Sequence, residues 1–590
     1  MSIETADKND DKKNPKLSDK LGDAHMNLLP KRKLIVSLGA MSLGLFATFV
    51  DQTSLTVSLP QIGKDLNAQT TINWAATAQL MANTVCQVLF GRLADIFGRK
   101  RILLMSLGIL AISDLCCGFA QTGVQFYVFR AFAGIGQGGT QSLTMVIVSD
   151  IVTLKQRGKY QGILGSQVGL GNAIGPFLMS AFIEHSSWRN FYHMMPGLVA
   201  LVMLTIFFTI DNNKAVLDSV ISNKEKFKKI DYLGMLFSTA SLTLLLVPIS
   251  GGGSTYAWDS TKVIVMFVIG GVCMVIFLII EWKIPILPMI PLSLFSRPSL
   301  ALILGSNFCF GLEFYAFIYY IPYYFQIVKK MDSIHSAILI LPLVLTQSVS
   351  SIIAGNLISF TGKYKLIILT GYGLWFTSCC LLLLFKPDTH VGIIVLVLLI
   401  MGCGTGWTFQ PTIVAVQAHS KKSERAVVIG CRNVLRSFGG SVGVAVSSLI
   451  MSNTLLNKIS EELNKESSDV PKSYLLYLKK HIYSKIELSG LDEKQISVVQ
   501  DMYMGSMRNL FYLYIPLIGV CFISTIFIVD RGLLCIDEAP PVNATEDKKL
   551  STLSAEEDCE SHYTIEQIDS ETNQEVKNIE SPQKLKLKLN

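Results

Sequence analysis

The chain has 590 residues, of which 50% are hydrophobic and only 16% charged, and its mean hydropathy is +0.44. Soluble proteins carry charge on about a quarter of their residues, so this composition excludes a secreted domain, a nucleic-acid binder and a cytosolic enzyme, and leaves a polytopic membrane protein. The net charge of +7 acquires meaning only from where the basic residues fall.

Residues 1–33 mix Lys and Asp without periodicity and predict a disordered tail with no cleavable signal. A bilayer core takes about 20 apolar residues per helix. Fourteen stretches qualify: 34–58, 72–90, 102–120, 124–148, 160–183, 191–210, 232–250, 262–280, 300–325, 336–358, 366–385, 391–410, 427–451 and 508–529. An even number puts both tails on one side. The short loops on that side hold 19 Lys and Arg, those on the far side 6 with Lys262 at the edge of its span counted, which assigns the tail side to the cytosol. The long loop 452–507 then faces outside or a lumen, and the tail 531–590, rich in Ser, Thr and Glu, is expected to be disordered. The 12 cysteines lie mostly within apolar runs and include no CxxC or Cys/His ligand spacing, so neither a metal site nor a disulfide framework is expected.

Ionisable residues at membrane depth are costly and mark pathways or proton relays. In chain order these are Asp51 in the first span, Asp114 late in the third, Arg130 at the start of the fourth and Glu313 in the ninth. Asp114 reads as an interfacial carboxylate, whereas Arg130 is either a snorkelling side chain or a cation that sets carboxylate protonation. In the loop after the second span, Gly91, Arg92, Asp95, Gly98, Arg99, Lys100 and Arg101 form a charge cluster framed by glycines. Such a cluster can bond to neighbouring helix ends in one conformation and release them in another. Lys155, Arg157 and Lys159 in the next cytosolic loop lack that frame and read as topology signals. Aromatic residues near the ninth and twelfth spans, above all Phe314, Tyr319 and Trp407, are candidates for stacking on a substrate.

The chain also repeats itself. Gly162, Gly171 and Gly175 recur 268 positions later as Gly430, Gly439 and Gly443, and Gly134, Gly136 and Gly138 recur at the same offset as Gly402, Gly404 and Gly406. Gly91 and Gly98 are echoed by Gly355 and Gly362, and Pro60 by Pro322. Asp51 and Glu313 each precede their proline by nine residues, so the repeat puts carboxylates at equivalent positions of spans one and nine. The expected organisation is a tail 1–33, a six-helix bundle 34–210, linker loops with two inserted helices 211–299, a second six-helix bundle 300–530 and a tail 531–590. Parallel repeats of this kind place the substrate path between the halves near the midplane.

Several motifs carry a family resemblance. Gly91-Arg92-Leu93-Ala94-Asp95-Ile96-Phe97-Gly98-Arg99-Lys100 resembles the loop signature of the major facilitator superfamily, and Arg130-x3-Gly134-x-Gly136 its fourth-span motif. Gly162-x8-Gly171-x3-Gly175-Pro176 resembles the fifth-span motif of its antiporters, although Met179 and Ser180 replace the two glycines that usually follow. Asp51-x-Thr53-x-Leu55-x-Val57-x-Leu59-Pro60, Trp188-Arg189 and Tyr320-Ile321-Pro322-Tyr323-Tyr324-Phe325-Gln326 are similar to the fungal fourteen-span drug:proton antiporters. The resemblance implies an all-α major facilitator fold with fourteen transmembrane helices, two bundles of six plus the inserted pair. It implies a proton-coupled exporter of amphiphilic or cationic small molecules, expected to be monomeric, with Arg130 in coupling and the Gly91–Lys100 loop in gating; the repeat and their depth in the membrane add Asp51 and Glu313 as the coupling carboxylates. Its partners would be the bilayer, protons and the solute, with no cofactor beyond the proton gradient, in the plasma membrane or else the vacuolar membrane. A vacuolar basic amino-acid transporter is the nearest alternative, and a non-transporting receptor or sensor the second.

Overall fold

The computed structural model describes residues 30–68, 71–152, 154–210, 231–251, 258–283, 292–421, 424–465, 470–480 and 492–533. Most of the two expected tails, all of residues 211–230 and part of the long loop lie outside the described residues. Every one of the fourteen apolar stretches falls on a helix. The first half comprises α1 (Lys31–Asp65), α2 (Asn73–Phe97), α3 (Arg99–Gly118), α4 (Gly123–Ile151), α5 (Leu154–His185) and α6 (Trp188–Thr209). Two helices follow, α7 (Tyr232–Gly251) and α8 (Thr261–Lys283). The second half contains α9 (Pro298–Tyr323), α10 (Ser333–Thr361), α11 (Lys365–Leu381), α12 (Val391–Phe409), α13 (Pro411–Ala418), α14 (Arg425–Leu463), α15 (Lys472–Lys480) and α16 (Glu493–Ile526).

Among the described residues, twelve helices are long and apolar enough to cross a membrane, with α12 and α13 counted as one. α4 and α5 are as long, at 29 and 32 residues, but more polar. For α4 the reason is its surroundings. From Ala133 to Ile151 nearly every side chain of α4 is buried, including Gln137, Thr140, Gln141, Ser142, Thr144, Ser149 and Asp150. A helix enclosed by other helices has no need of the apolar surface that lipid demands.

The repeat is built into the packing. A Cβ on Gly171 or Gly175 would collide with Phe46, Phe49 and Val50 of α1, and one on Gly439 or Gly443 with Phe308 and Leu312 of α9. Gly134 and Gly138 meet the carbonyls of Gln79 and Asn83 in α2, while Gly402 and Gly406 meet those of Leu343 and Gln347 in α10. Gly136 packs on Leu110 of α3 and Gly404 on Trp375 of α11. These glycines are displaced by 268 positions and their partners by 262 to 265, so the two halves share one packing scheme. Gly98 and Gly362 both have a positive φ, +94° and +69°, which side chains rarely adopt.

Other glycines join the halves. A Cβ on Gly162 of α5 would stand 2.6 Å from the Ser351 carbonyl and 3.0 Å from Gly355 of α10; in mirror fashion, Gly430 of α14 lies against Gln87 and Val88 of α2. α7 packs against both α2 and α14 through Met235, Leu242, Val88 and Val434, and α8 packs on α7.

Three boundaries differ from the sequence reading. The first helix runs through Pro60 to Asp65 instead of ending there. The twelfth span, read as ending at 410, breaks there because Pro411 cannot donate the hydrogen bond that would continue it, but helix resumes at once and runs to Ala418. Much of 452–507 is helical: α14 continues to Leu463 and α16 begins at Glu493. Leu455 and Ile459, and then Val499, Met502 and Met507, supply a buried apolar stripe whose polar opposite face hid it from a hydropathy window.

Candidate functional site

The first cluster forms where α1, α2, α3 and α4 meet. Asp51, Asp114, Arg130 and Gln137 are fully buried. Arg130 Nη1 and Nη2 donate to the two carboxylate oxygens of Asp51 at 2.9 and 3.0 Å, a bidentate pair. Gln137 Nε2 adds a bond to Asp51 Oδ2 at 2.5 Å, and Gln79 bonds the Gln137 carbonyl at 2.9 Å. Asp114 Oδ1 accepts from Arg130 Nη1 at 3.5 Å, and its Oδ2 has no partner among the described residues. The guanidinium also lies 5.4 Å from the Tyr192 ring centre. Of the two readings left open for Arg130, snorkelling does not fit its complete burial, and Asp114, read as an interfacial carboxylate, is instead enclosed against that cation. Two carboxylates share one cation, so one proton would leave the group neutral, and Asp114 is the carboxylate with an unoccupied oxygen.

Glu313 is also fully buried, but it belongs to another set of helices. Its Oε1 lies 3.6 Å from the Cys379 thiol, which donates to it, beside Trp375; its Oε2 is unpartnered among the described residues. Neither Tyr315 nor Tyr319 is its partner. Cys379 stands where the repeat aligns Asp114, so the second half keeps the acid of α1 but not its cation or its companion acid. Among the described residues Asp51 and Glu313 share no hydrogen-bond partner; each bonds within its own half.

The loop cluster comes together in part. Asp95 faces Arg92 at 3.8 Å and Arg99 at 3.5 Å. Asp150, at the end of α4, pairs with Arg99 and with Arg425 of α14 at 3.7 Å, so an ion pair crosses between the halves on the side that the loop charges assign to the cytosol. Gly91 lies against Ala426 at the same level. Lys100 stands apart: its Nζ donates to the Phe207 carbonyl at 2.7 Å and covers that ring. Arg157, read as a topology signal, is buried and donates to the Ser149 carbonyl at 3.4 Å. Behind this layer, burial holds His419 below the usual imidazole pKa; Arg297 bonds the His419 carbonyl at 3.2 Å and Glu424 at 2.8 Å.

The three aromatic candidates do not converge. Phe314 is buried against Phe310 and Trp375, Tyr319 is 54% exposed, and Trp407 packs at Gly371. Phe314 and Tyr319 are five residues apart, which turns them about 140° from one another on a helix. Sequence reasoning missed two buried cations, Arg432 and Arg436 of α14. Their signal was present, since both lie inside the apolar stretch 427–451 with helical i, i+4 spacing.

A profile described as Major Facilitator Superfamily matches residues 41–444. A citrate exporter of Yarrowia lipolytica is 42% identical over 88% of this chain and 76% of its own length. An efflux pump of Dothistroma septosporum is 31% identical over 73% and 74%. The solved structure of a proton:xylose symporter superposes with a TM-score of 0.54 at 10% identity, over 86% of this chain and 99% of that one, a likeness of fold. With the duplicated glycine packing, the paired halves and the profile over most of its length, the chain belongs to the Major Facilitator Superfamily.

Proposed function

We propose that this protein is a proton-coupled exporter of small organic molecules that works by alternating access, and that α4 and α5 cross the membrane too, giving fourteen spans. The observation that carries the coupling is the dry network in which Asp51 and Asp114 share Arg130. In this reading Arg130 and Asp51 form a fixed pair and Asp114 exchanges the proton; Glu313, a buried acid without a cation, is a second candidate. The Asp150–Arg99–Arg425 pairing, next to Gly91 and the α5–α10 glycine contact, is the closed cytosolic gate. Opening it to the cytosol requires those ion pairs to break.

Two substrate readings follow from the likenesses. The motifs and the efflux-pump relative suggest amphiphilic compounds, including cations, exported by drug:proton antiport. The citrate exporter, more similar and matched over more of the chain, favours organic anions, and this is the reading we prefer. It also sets the vacuolar basic amino-acid alternative behind. The plasma membrane is the site we propose.

The test is flux in proteoliposomes holding the purified protein, with and without an imposed pH gradient. The gradient should accelerate uptake or release of a transported solute, and Arg130→Ala and Asp114→Asn should remove that acceleration. Flux in wild type that ignores the gradient would overturn proton coupling.

A further inference from the structure

Arg432 and Arg436 lie one turn apart on α14, 1% and 5% exposed. Arg436 is eleven residues beyond Arg425, where the helix begins; at 1.5 Å per residue that is about 16 Å, half of a bilayer core. Arg432 Nη2 and Nε donate to Thr412 Oγ1 at 2.9 and 3.2 Å and Nη1 to Asn433 Oδ1 at 2.9 Å; Nη2 also donates to the Phe409 carbonyl. Arg436 makes no hydrogen bond among the described residues, and its Nε is buried without a partner. Both guanidinium groups lie over Phe409, at 5.2 and 4.5 Å from the ring centre.

Among the described residues neither arginine has an acidic partner. The groups that act on Arg432 are Arg436, Tyr372 and Tyr315, so its one charged neighbour is another cation. The first half solves the same problem differently, by giving Arg130 the carboxylate of Asp51. Burying an unpaired charge costs several kcal/mol, and two like charges side by side cost more. A second buried group nearby is equally unsatisfied. Gln410, next to Phe409 at the break between α12 and α13, is 1% exposed, and its amide oxygen and nitrogen both lack partners. It reaches Gly165 of the opposite half, at the junction where alternating access must act.

We propose that Arg432 and Arg436 form the receiving site for an organic anion with two or three carboxylates, with Gln410 bonding a further carboxylate or hydroxyl group of the same molecule. Side chains at i, i+4 have Cβ atoms about 5–6 Å apart, a spacing that suits two carboxylates on a short carbon chain, and each guanidinium matches a carboxylate edge with parallel N–H donors. Phe409 offers its face to both guanidinium groups; the edges of Arg436 are left for the ligand, and Arg432 would exchange its bonds to Thr412 or Asn433 for one to a carboxylate. A cationic solute would meet repulsion here. This assignment rests on the exporter reading above and names its substrate class.

The experiment measures equilibrium binding to purified full-length protein in detergent, with no proton gradient, so that it is independent of coupling. The probes are citrate, succinate, acetate and tetraphenylphosphonium. Citrate should bind most tightly, succinate less, and acetate and the cation least. Arg436→Gln should weaken citrate binding by about thirtyfold or more, the effect of removing one member of a desolvated charge pair. Arg436→Lys, which keeps charge but loses the fork, should fall between. Monodispersity by size-exclusion chromatography guards against misfolding, and Arg436→Lys remains informative if the glutamine variant fails to fold. Equal citrate affinity in wild type and both variants, or tight binding of the cation with none of citrate, would overturn the site. Citrate binding that needs Arg436, combined with flux blind to the pH gradient, would keep this site and remove proton coupling; the converse result would do the opposite.

Discussion

At the scale of single residues, the informative contrast is between the two buried cation sites. Asp51 and Arg130 stood out in the sequence because charge is rare in apolar runs, and both lie at the centre of a network. What the sequence did not show was who bonds whom. The link from Asp51 to Asp114 runs through α4, and no spacing along one helix predicts it. Arg432 and Arg436 escaped notice although their spacing was visible, because no acid elsewhere in the repeat corresponds to them. The bidentate pair supports a thermodynamic prediction. Arg130→Gln orphans Asp51 and should lower stability by about 3–5 kcal/mol. Adding Asp51→Asn removes the orphaned charge, so the double variant should melt well above the single while staying inactive. Thermal melts in detergent check this; a double variant no more stable than Arg130→Gln would mean that the two charges do not depend on each other.

At the scale of helices, the interface between halves depends on few groups. Asp150 receives arginines from α3 and α14, and Asp95 receives two from its own neighbourhood. Asp150→Asn should therefore loosen cytosolic closure more than Asp95→Asn, although both should slow transport without loss of protein from the membrane. A cysteine placed at Ser351, beside Gly162, reports this by its reaction with an impermeant maleimide from the cytosolic side. Equal protection in both variants and wild type would return the cluster to a topological role. The α13–α14 link supplies a pH prediction. His419 has a depressed pKa because it is buried, and its Nε2 has no hydrogen-bond partner among the described residues. The folded state therefore disfavours the protonated ring, and stability should decline as pH falls below the unfolded value near 6.5. His419→Gln should flatten that slope in melts between pH 7.5 and 5.5; an unchanged slope would place the titrating group elsewhere. The helices themselves were legible from apolar length alone, since all fourteen stretches are helical. The ends were not: amphipathic extensions such as those of α14 and α16 are stabilised by one buried face that average hydropathy cannot register.

At the scale of the molecule, the duplicated fold was readable because glycine is irreplaceable where backbones touch. A helix carbonyl at 2–3 Å from a would-be Cβ tolerates no other residue, so the same glycines mark the same contacts in both halves. Chemistry was not duplicated with it: Asp51 has a cation and a companion acid, whereas the equivalent Glu313 has a thiol. The inserted helices break the symmetry in another way. α7 lies across the line where α2 meets α14, whereas the matching line between α5 and α10 has no such cover among the described residues. For a molecule dissolved in the inner leaflet, the two lateral doors of the transporter are thus unequal. The one beside α14 is shielded from lipid by an extra layer of helix, and any solute arriving sideways from the bilayer must enter by the other.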